Sequence, residues 1–193
     1  MKRRVFIIHG WDSFPGDAWL PWLKGELSSH GYDVIVPAMP TPLIPMIDAW
    51  VGHLREVVGD LRASDIFVGH SVGCQAILRY LEPQSDASVA VPVVCVAGWF
   101  TLNGLETEDE RQIARPWLET PIDFATVKKV CNPLHVILSD DDPYVALDET
   151  KRIFETALGG HVLVQHGMGH FSIEHGGVRE LPIVRDIILG LSS

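Results

Sequence analysis

The sequence predicts an α/β fold in which a mostly parallel sheet of about six strands lies between two layers of helices, an α/β/α arrangement. Short, wholly apolar segments alternate along the chain with segments whose apolar residues recur at helical spacing. A parallel sheet that is covered on both faces requires strands that are apolar throughout. With 193 residues, the chain is expected to form a single domain spanning residues 1–193.

Composition narrows the classes of function. The chain is 47% hydrophobic and 21% charged, with a formal net charge of −10, which argues against nucleic acid and anionic membranes as main partners. No apolar run approaches the roughly 18 residues of a membrane span. The three cysteines are Cys74, Cys95 and Cys131; their spacing matches no zinc pattern, and we expect reduced thiols in or near the core. These features favour a cytoplasmic protein without a cysteine-based zinc site.

The segment DIFVGHSVGCQAILRYL, residues 65–81, organises the rest of the chain. It predicts a buried strand at 66–68, a turn centred on Ser71 and a helix from about Val72. A G-x-S-x-G turn between a strand and a helix is the nucleophile elbow of an α/β-hydrolase. Crowding around the sharply turned serine explains the flanking glycines, and the Val72 N–H at the helix start is suited to bind an oxyanion.

The first predicted strand covers residues 5–8 and ends in His9, Gly10, Trp11 and Asp12. In an α/β-hydrolase a loop after an early strand supplies the second oxyanion N–H, and Trp11 is the candidate because Gly10 permits close approach. A plain turn between strand and helix is the alternative. His9 and His70 flank the predicted site, where a structural role is expected for both.

Three further elements follow in order. Apolar residues at 19, 22, 23 and 27 predict the first helix, and residues 34–36 predict the second strand. Residues 47–61 have the clearest helical period in the chain, which predicts a helix directly before the strand that leads to Ser71.

Residues 93–97 predict the fourth strand, and residues 98–133 are long enough for a small cap segment. Trp99 and Phe100 follow the carboxyl end of that strand, where open α/β sheets bind ligands, so we expect both near a substrate pocket. The acidic run at 106–110 predicts a solvated helix face.

Two predicted strands, at 134–138 and 162–164, bring the remaining chemistry to the same sheet edge. The first strand runs into three consecutive aspartates, 140–142, and the second leads to His170 and Phe171. Helices are predicted after each, the last of them starting at Pro182. The order serine, acid, histidine is that of an α/β-hydrolase triad. The residues alone do not separate the three aspartates.

A metal site is the competing hypothesis for the histidines at 161, 166, 170 and 175. Gly167 and Gly169 argue against a helix that would present two of them on one face, and no cysteine pair accompanies them. We therefore expect no metal site.

Several stretches resemble the small serine hydrolases that include retinoblastoma-binding protein 9 and its bacterial relatives. They are IIHGW, HSVGCQAILRYLE, SDDDPYV and HGMGHF, and the likeness covers nearly the whole chain. The resemblance implies a single-domain α/β-hydrolase with a minimal cap and no cofactor. It also implies that Ser71, Asp142 and His170 form the triad, with Asp141 as the alternative acid. Apart from the resemblance, the candidate substrate-binding residues are His9, Gly10, Trp99, Phe100 and Phe171, which lie in or beside the segments that follow the predicted strands.

The expected function is that of a serine hydrolase, most simply a carboxylesterase that cleaves small or medium acyl esters through an acyl-enzyme. An amidase or a thioesterase would use the same residues. The alternative from a different class is a protein-binding module that keeps the hydrolase scaffold with little or no catalysis.

Overall fold

The computed structural model describes residues 2–84 and 89–191; Met1 and the last two residues of the predicted domain, together with residues 85–88, lie outside the described part. It contains a six-stranded sheet of order β2-β1-β3-β4-β5-β6 in which every neighbouring pair is parallel. The strands are β1 Arg4–Ile8, β2 Asp33–Ile35, β3 Ile66–His70, β4 Val91–Val96, β5 Cys131–Ser139 and β6 His161–Gln165. The helices are α1 Leu20–Ser29, α2 Ile47–Val58, α3 Val72–Leu81, α4 Glu108–Glu119, α5 Phe124–Val130, α6 Leu147–Thr156 and α7 Pro182–Gly190.

Two hydrophobic clusters cover the two faces of this sheet. Side chains alternate across a strand, so Val5 and Ile7 of β1 join one cluster with α1 and α7. Phe6 and Ile8 join the other, which is built mainly from α2, α3 and α6. Because both faces are buried, the strands can be apolar throughout, and the predicted α/β/α layering is confirmed.

The predicted strands and helices are all present, with bounds that differ by a few residues. The largest difference is at β5, which begins at Cys131 rather than at residue 134. The three cysteines are free and buried, as expected from the sequence.

The segment 98–133 contains α4 and α5. Helix α4 starts with a capping box, in which the Thr107 hydroxyl accepts from the Glu110 N–H and the Glu110 carboxylate accepts from the Thr107 N–H. Residues 106–109 are exposed, which confirms the predicted solvated face. The function of this segment as a cap remains a prediction.

Within the described ranges, no helix combines the length and apolar character needed to cross a membrane. All six strands run the same way, so their carboxyl ends meet at one edge of the sheet. The loops that follow β1, β3, β4, β5 and β6 gather the functional side chains at this edge.

Candidate active site

Ser71 lies on a strained turn between β3 and α3. Its φ and ψ are 54° and −124°, a left-handed backbone that residues with a Cβ rarely adopt. A Cβ on Gly69 would lie 2.7 Å from the Cys74 backbone nitrogen, and one on Gly73 would lie 2.5 Å from the Ile8 carbonyl oxygen. Only glycine fits at these two positions, and the reason is the backbone crowding expected from the sequence.

Ser71, His170 and Asp142 form a continuous chain of hydrogen bonds. The His170 Nε2 atom is 2.9 Å from the Ser71 hydroxyl oxygen, and its Nδ1 atom is 2.8 Å from Asp142 Oδ2. The side chain of Asp142 is 1% exposed and that of His170 is 12% exposed. The buried carboxylate thus faces one ring nitrogen of the histidine while the other nitrogen faces the serine.

The carboxylate of Asp142 is fixed by the loop that it begins. Its Oδ1 atom accepts hydrogen bonds from the backbone N–H groups of Tyr144 at 2.9 Å and Val145 at 3.2 Å. Oδ2 is the nearer oxygen to His170 Nδ1, at 2.8 Å against 3.1 Å for Oδ1, so the carboxylate is oriented before any substrate binds.

The other two aspartates hold the loop that carries His170. Asp140 Oδ1 accepts from the Gly167 N–H at 3.0 Å, and Asp141 Oδ1 accepts from the Gly169 N–H at 2.8 Å. Asp141 also accepts from the Ser139 hydroxyl at 2.6 Å, which lowers the pKa of Asp141. Consecutive carboxylates therefore bind consecutive points of the β6–α7 loop, and Asp142 is the one that meets the imidazole.

The candidate oxyanion donors lie on either side of Ser71. Val72 is the first residue of α3, and the N–H groups of a first helical turn have no acceptor within the helix. Gly10 lies against the elbow, since a Cβ there would be 3.2 Å from Ser71 Cβ. Trp11 follows Gly10 on the cavity wall. The assignment of the Val72 and Trp11 N–H groups as an oxyanion hole remains a prediction.

His70 supports His170 from behind. Its Nε2–H donates to the His170 carbonyl oxygen at 2.8 Å, and its ring lies edge-on to Trp19. Burial, with a smaller contribution from the neighbouring His170, lowers the pKa of His70 to about 4. His70 is therefore neutral at pH 7 and holds the backbone of the histidine that faces Ser71.

A cavity of about 720 Å³ opens above Ser71. Gly10, Trp11 and Trp99 line it, as expected from the sequence, and their contact with substrate remains a prediction. Four carboxylates, which we call the acidic rim, also line it; they belong to Asp12, Asp17, Glu110 and Glu174. No lysine or arginine is among the described residues of the cavity wall.

Three residues expected near the substrate lie away from the cavity, and their assignment is corrected. His9 is 1% exposed and accepts a hydrogen bond from the Met39 N–H, so its ring belongs to the core. Phe100 packs against Phe124 and Phe154, on the face of the sheet that α2 and α3 cover. Phe171 is fully buried, because the chain turns at positive φ directly after His170 and directs the ring into the core.

Tyr144 and His175 are among the lining residues that were not identified as site residues from the sequence. Tyr144 lies edge-on to His170, and its hydroxyl is 2.9 Å from His175 Nε2. No motif marks either residue, because their meeting depends on how two separate loops pack. The described residues contain no group of three side chains suited to hold a metal ion.

The sheet is all-parallel and lies between two layers of helices. Ser71 lies on a strained turn between a strand and a helix, and it faces a histidine and a buried aspartate. These features define an α/β-hydrolase fold. The serine hydrolase family model matches residues 5–188, and the chain belongs to that family. YdeN of Bacillus subtilis strain 168, which is assigned as a hydrolase, is 32% identical over 189 residues, covering 97% of this chain and 95% of YdeN. Membership of the serine hydrolase family is thereby confirmed.

Solved structures extend the likeness. The B. subtilis ydeN product has a TM-score of 0.85 at 28% identity, with complete coverage of both chains. Est1E from Butyrivibrio proteoclasticus, solved with ferulic acid bound, has a TM-score of 0.73 at 14% identity, covering 98% of this chain and 87% of Est1E. A monoacylglycerol lipase from Paleococcus ferrophilus has a TM-score of 0.70 at 13% identity, covering 97% and 93%. The last two likenesses establish the fold alone.

Proposed function

We propose that this hydrolase is a carboxylesterase that cleaves small or medium acyl esters through an acyl-enzyme on Ser71. The observation that carries the proposal is the chain of hydrogen bonds from Ser71 through His170 to Asp142, with links of 2.9 and 2.8 Å at the base of an open cavity. An alcohol needs a base within hydrogen-bond reach and a partner that orients the base, and these distances satisfy both needs.

In acylation, the Ser71 oxygen attacks the ester carbonyl carbon while its proton moves to His170 Nε2. The carbonyl π electrons move to the oxygen, where the Val72 and Trp11 N–H groups stabilise the charge. Collapse expels the alcohol, which takes the proton from His170. Asp142 holds the imidazole with its proton on Nδ1 and stabilises the imidazolium.

In deacylation, a water molecule gives a proton to His170 and attacks the acyl carbon. The bond between that carbon and Ser71 Oγ then breaks, and His170 returns the proton to the serine. The released products are an alcohol from the first half and a carboxylic acid from the second.

The cavity supports a small-molecule substrate. Its volume of about 720 Å³ is within the range that binds drug-sized ligands. Trp11, Trp99 and Leu102 supply apolar surface for an acyl group or an alcohol. The acidic rim disfavours substrates that carry a negative charge near the scissile bond.

The experiment is a panel of 4-nitrophenyl esters with acyl chains of two, four and eight carbons, assayed beside a matched anilide and a thioester. We expect the esters to be cleaved fastest. Replacing Ser71 with alanine should lower kcat by about 10⁶-fold. The matched control is Ser29→Ala, on the exposed surface of α1, which should keep wild-type rates. Wild-type protein that cleaves no member of the panel beyond the Ser71→Ala rate would overturn the proposal and favour a non-catalytic binding module.

A further inference from the structure

The indole of Trp99 donates a hydrogen bond to the oxygen that is proposed to attack the substrate. Trp99 lies just beyond the end of β4, and its Nε1 atom is 3.2 Å from Ser71 Oγ. An indole N–H can only donate, so Oγ accepts from Trp99 while its own proton is directed to His170 Nε2 at 2.9 Å. Trp99 is 2% exposed, which fixes this geometry in a partly desolvated place.

Two polar side chains of α3 hold Trp99. The Gln75 amide donates to the Trp99 carbonyl oxygen at 3.1 Å. Arg79, one helical turn further on, donates to the Gln75 amide oxygen at 3.1 Å, so the orientation of that amide is fixed. Both side chains are buried, and the backbone of Trp99 is therefore held beside the elbow.

Arg79 is in turn held by the end of α4. Its guanidinium donates to the carbonyl oxygens of Trp117 at 3.1 Å and Thr120 at 2.7 Å. Burial lowers the pKa of Arg79. A cation at the carboxyl end of a helix is favourable, and this interaction offsets part of the cost of burying the guanidinium. Hydrogen bonds therefore connect the end of α4 through Arg79 and Gln75 to the backbone of Trp99, and the indole of the same residue bonds to the serine oxygen.

We propose that Trp99 is a further catalytic residue. Its indole N–H stabilises the negative charge that forms on Ser71 Oγ when the bond between Oγ and the acyl carbon breaks in deacylation. Gln75 and Arg79 are its positioning residues. The inference rests on the proposed esterase function. When the carbon–Oγ bond breaks, its electron pair returns to Oγ, which carries negative charge until the proton of His170 arrives. A hydrogen bond to a charged oxygen is about twice as strong as one to a neutral oxygen.

The effect differs between the two halves of the reaction. Free serine already accepts the indole hydrogen bond, so acylation starts from a state that the bond stabilises. In the acyl-enzyme, Oγ is an ester oxygen and a weak acceptor, so deacylation starts from a state that the bond stabilises little. Only interactions that strengthen in the transition state raise a rate, and the indole therefore accelerates deacylation more than acylation.

The test is Trp99→Phe, which keeps an aromatic ring in the cavity wall and removes the N–H donor together with the five-membered ring of the indole. With 4-nitrophenyl acetate in stopped flow, the initial burst reports acylation and the later steady release reports deacylation. We expect deacylation to slow by about ten- to a hundredfold, the loss of one hydrogen bond to a charged oxygen, while acylation changes by less than about threefold. The steady-state kcat and KM should then fall together.

The matched control is Trp50→Phe, which removes another buried indole donor, the one bonded to the Pro40 carbonyl oxygen. This variant should keep the wild-type ratio of acylation to deacylation. An unchanged ratio in Trp99→Phe, with active wild-type protein, would overturn the inference and leave the esterase proposal intact. If wild type and Ser71→Ala release nitrophenol equally slowly, the esterase proposal itself fails.

A second measurement does not depend on the folding of Trp99→Phe. In protein labelled with ¹⁵N-tryptophan, six indole N–H signals are expected from the six tryptophans. Replacing Ser71 with alanine removes the acceptor at 3.2 Å and should shift one of these signals well beyond the others. Six unmoved signals would overturn the inference.

Discussion

Replacing Asp142 with asparagine should lower kcat by about 10⁴-fold while the fold is retained, because the asparagine would stabilise the wrong tautomer of His170. Asp142 Oδ1 accepts two backbone N–H groups, at 2.9 and 3.2 Å. These donors require an oxygen at that position, so the new amide nitrogen takes the place of Oδ2, 2.8 Å from His170 Nδ1. The amide then donates to Nδ1, and the imidazole proton moves to Nε2.

A proton on Nε2 faces the Ser71 hydroxyl, and the histidine can no longer accept the serine proton. Turning the amide over would restore the tautomer, but it would break two backbone hydrogen bonds worth about 1 kcal/mol each and bring N–H groups face to face. The active arrangement is therefore a small minority. A 10⁴-fold loss corresponds to about 5 kcal/mol of transition-state stabilisation.

The assay compares kcat for a 4-nitrophenyl ester in Asp142→Asn and in the matched control Asp141→Asn, with thermal unfolding as a check on folding. Asp141 accepts from the Ser139 hydroxyl and the Gly169 N–H through a single oxygen, which an asparagine also provides. The control should stay within about tenfold of wild type. A large loss in Asp141→Asn with near-normal activity in Asp142→Asn would refute the assignment of the acid and the tautomer argument.

Three further outcomes are expected. Gly73→Ala places a Cβ 2.5 Å from a backbone oxygen and should lower both the activity and the midpoint of urea unfolding. Gly25→Ala, which has open space around its Cβ, should raise the free energy of unfolding by up to about 1 kcal/mol. Equal effects of the two substitutions would contradict the explanation by crowding. Burial lowers the pKa of His70 to about 4, so between pH 6.5 and 4 the unfolded chain binds more protons than the folded chain. Acidification through this range should therefore remove about 3 kcal/mol of folding stability from the wild-type protein but not from His70→Gln. Urea titrations at several pH values measure this difference. The acidic rim predicts that a hemisuccinate ester is cleaved about tenfold more slowly than a neutral ester of equal length, with the gap narrowing in high salt; a gap that salt leaves unchanged would show that charge is not its cause.

The fold follows closely from the sequence, because burial on both faces of a parallel sheet leaves a clear pattern. Strands that must be apolar throughout, such as residues 66–68, are visible without an alignment. Glycines two residues before and after Ser71 reveal the turn, since no other residue fits there. The boundary of β5 was less well predicted, because its second and third residues are Asn132 and Pro133, and neither type is typical of a strand interior.

The side chains around the hydrogen-bonded group of Ser71, His170 and Asp142 were harder to predict. Placement at the end of a strand indicated that Trp99 is near the site, but it placed Phe100 there too. The loop after β4 directs the Trp99 indole to Ser71, whereas the Phe100 ring packs against Phe154. Phe171 was also misplaced. The orientation of its ring depends on the positive φ of Phe171 itself, which its sequence neighbours do not indicate. Contacts between separate loops, such as that of Tyr144 with His175, leave no local pattern.

The division of work among the three aspartates also lies beyond local pattern. Each carboxylate has the same chemistry, and only the path of the β6–α7 loop decides which one meets His170. The family resemblance indicated Asp142 as the triad acid, and that role remains a prediction. In the structure, Asp140 and Asp141 bind backbone N–H groups of that loop, and Asp142 is the carboxylate beside His170.

The most direct test of the central claim, an activated serine at position 71, is intact-mass spectrometry after incubation with a fluorophosphonate. An activated Ser71 should give a single covalent adduct on the wild-type protein, formed by attack of Ser71 Oγ on phosphorus with loss of fluoride. The adduct should be absent from Ser71→Ala and present in Ser29→Ala. A folded wild-type protein that remains unmodified, or an adduct that persists in Ser71→Ala, would contradict the proposal that Ser71 is an activated nucleophile.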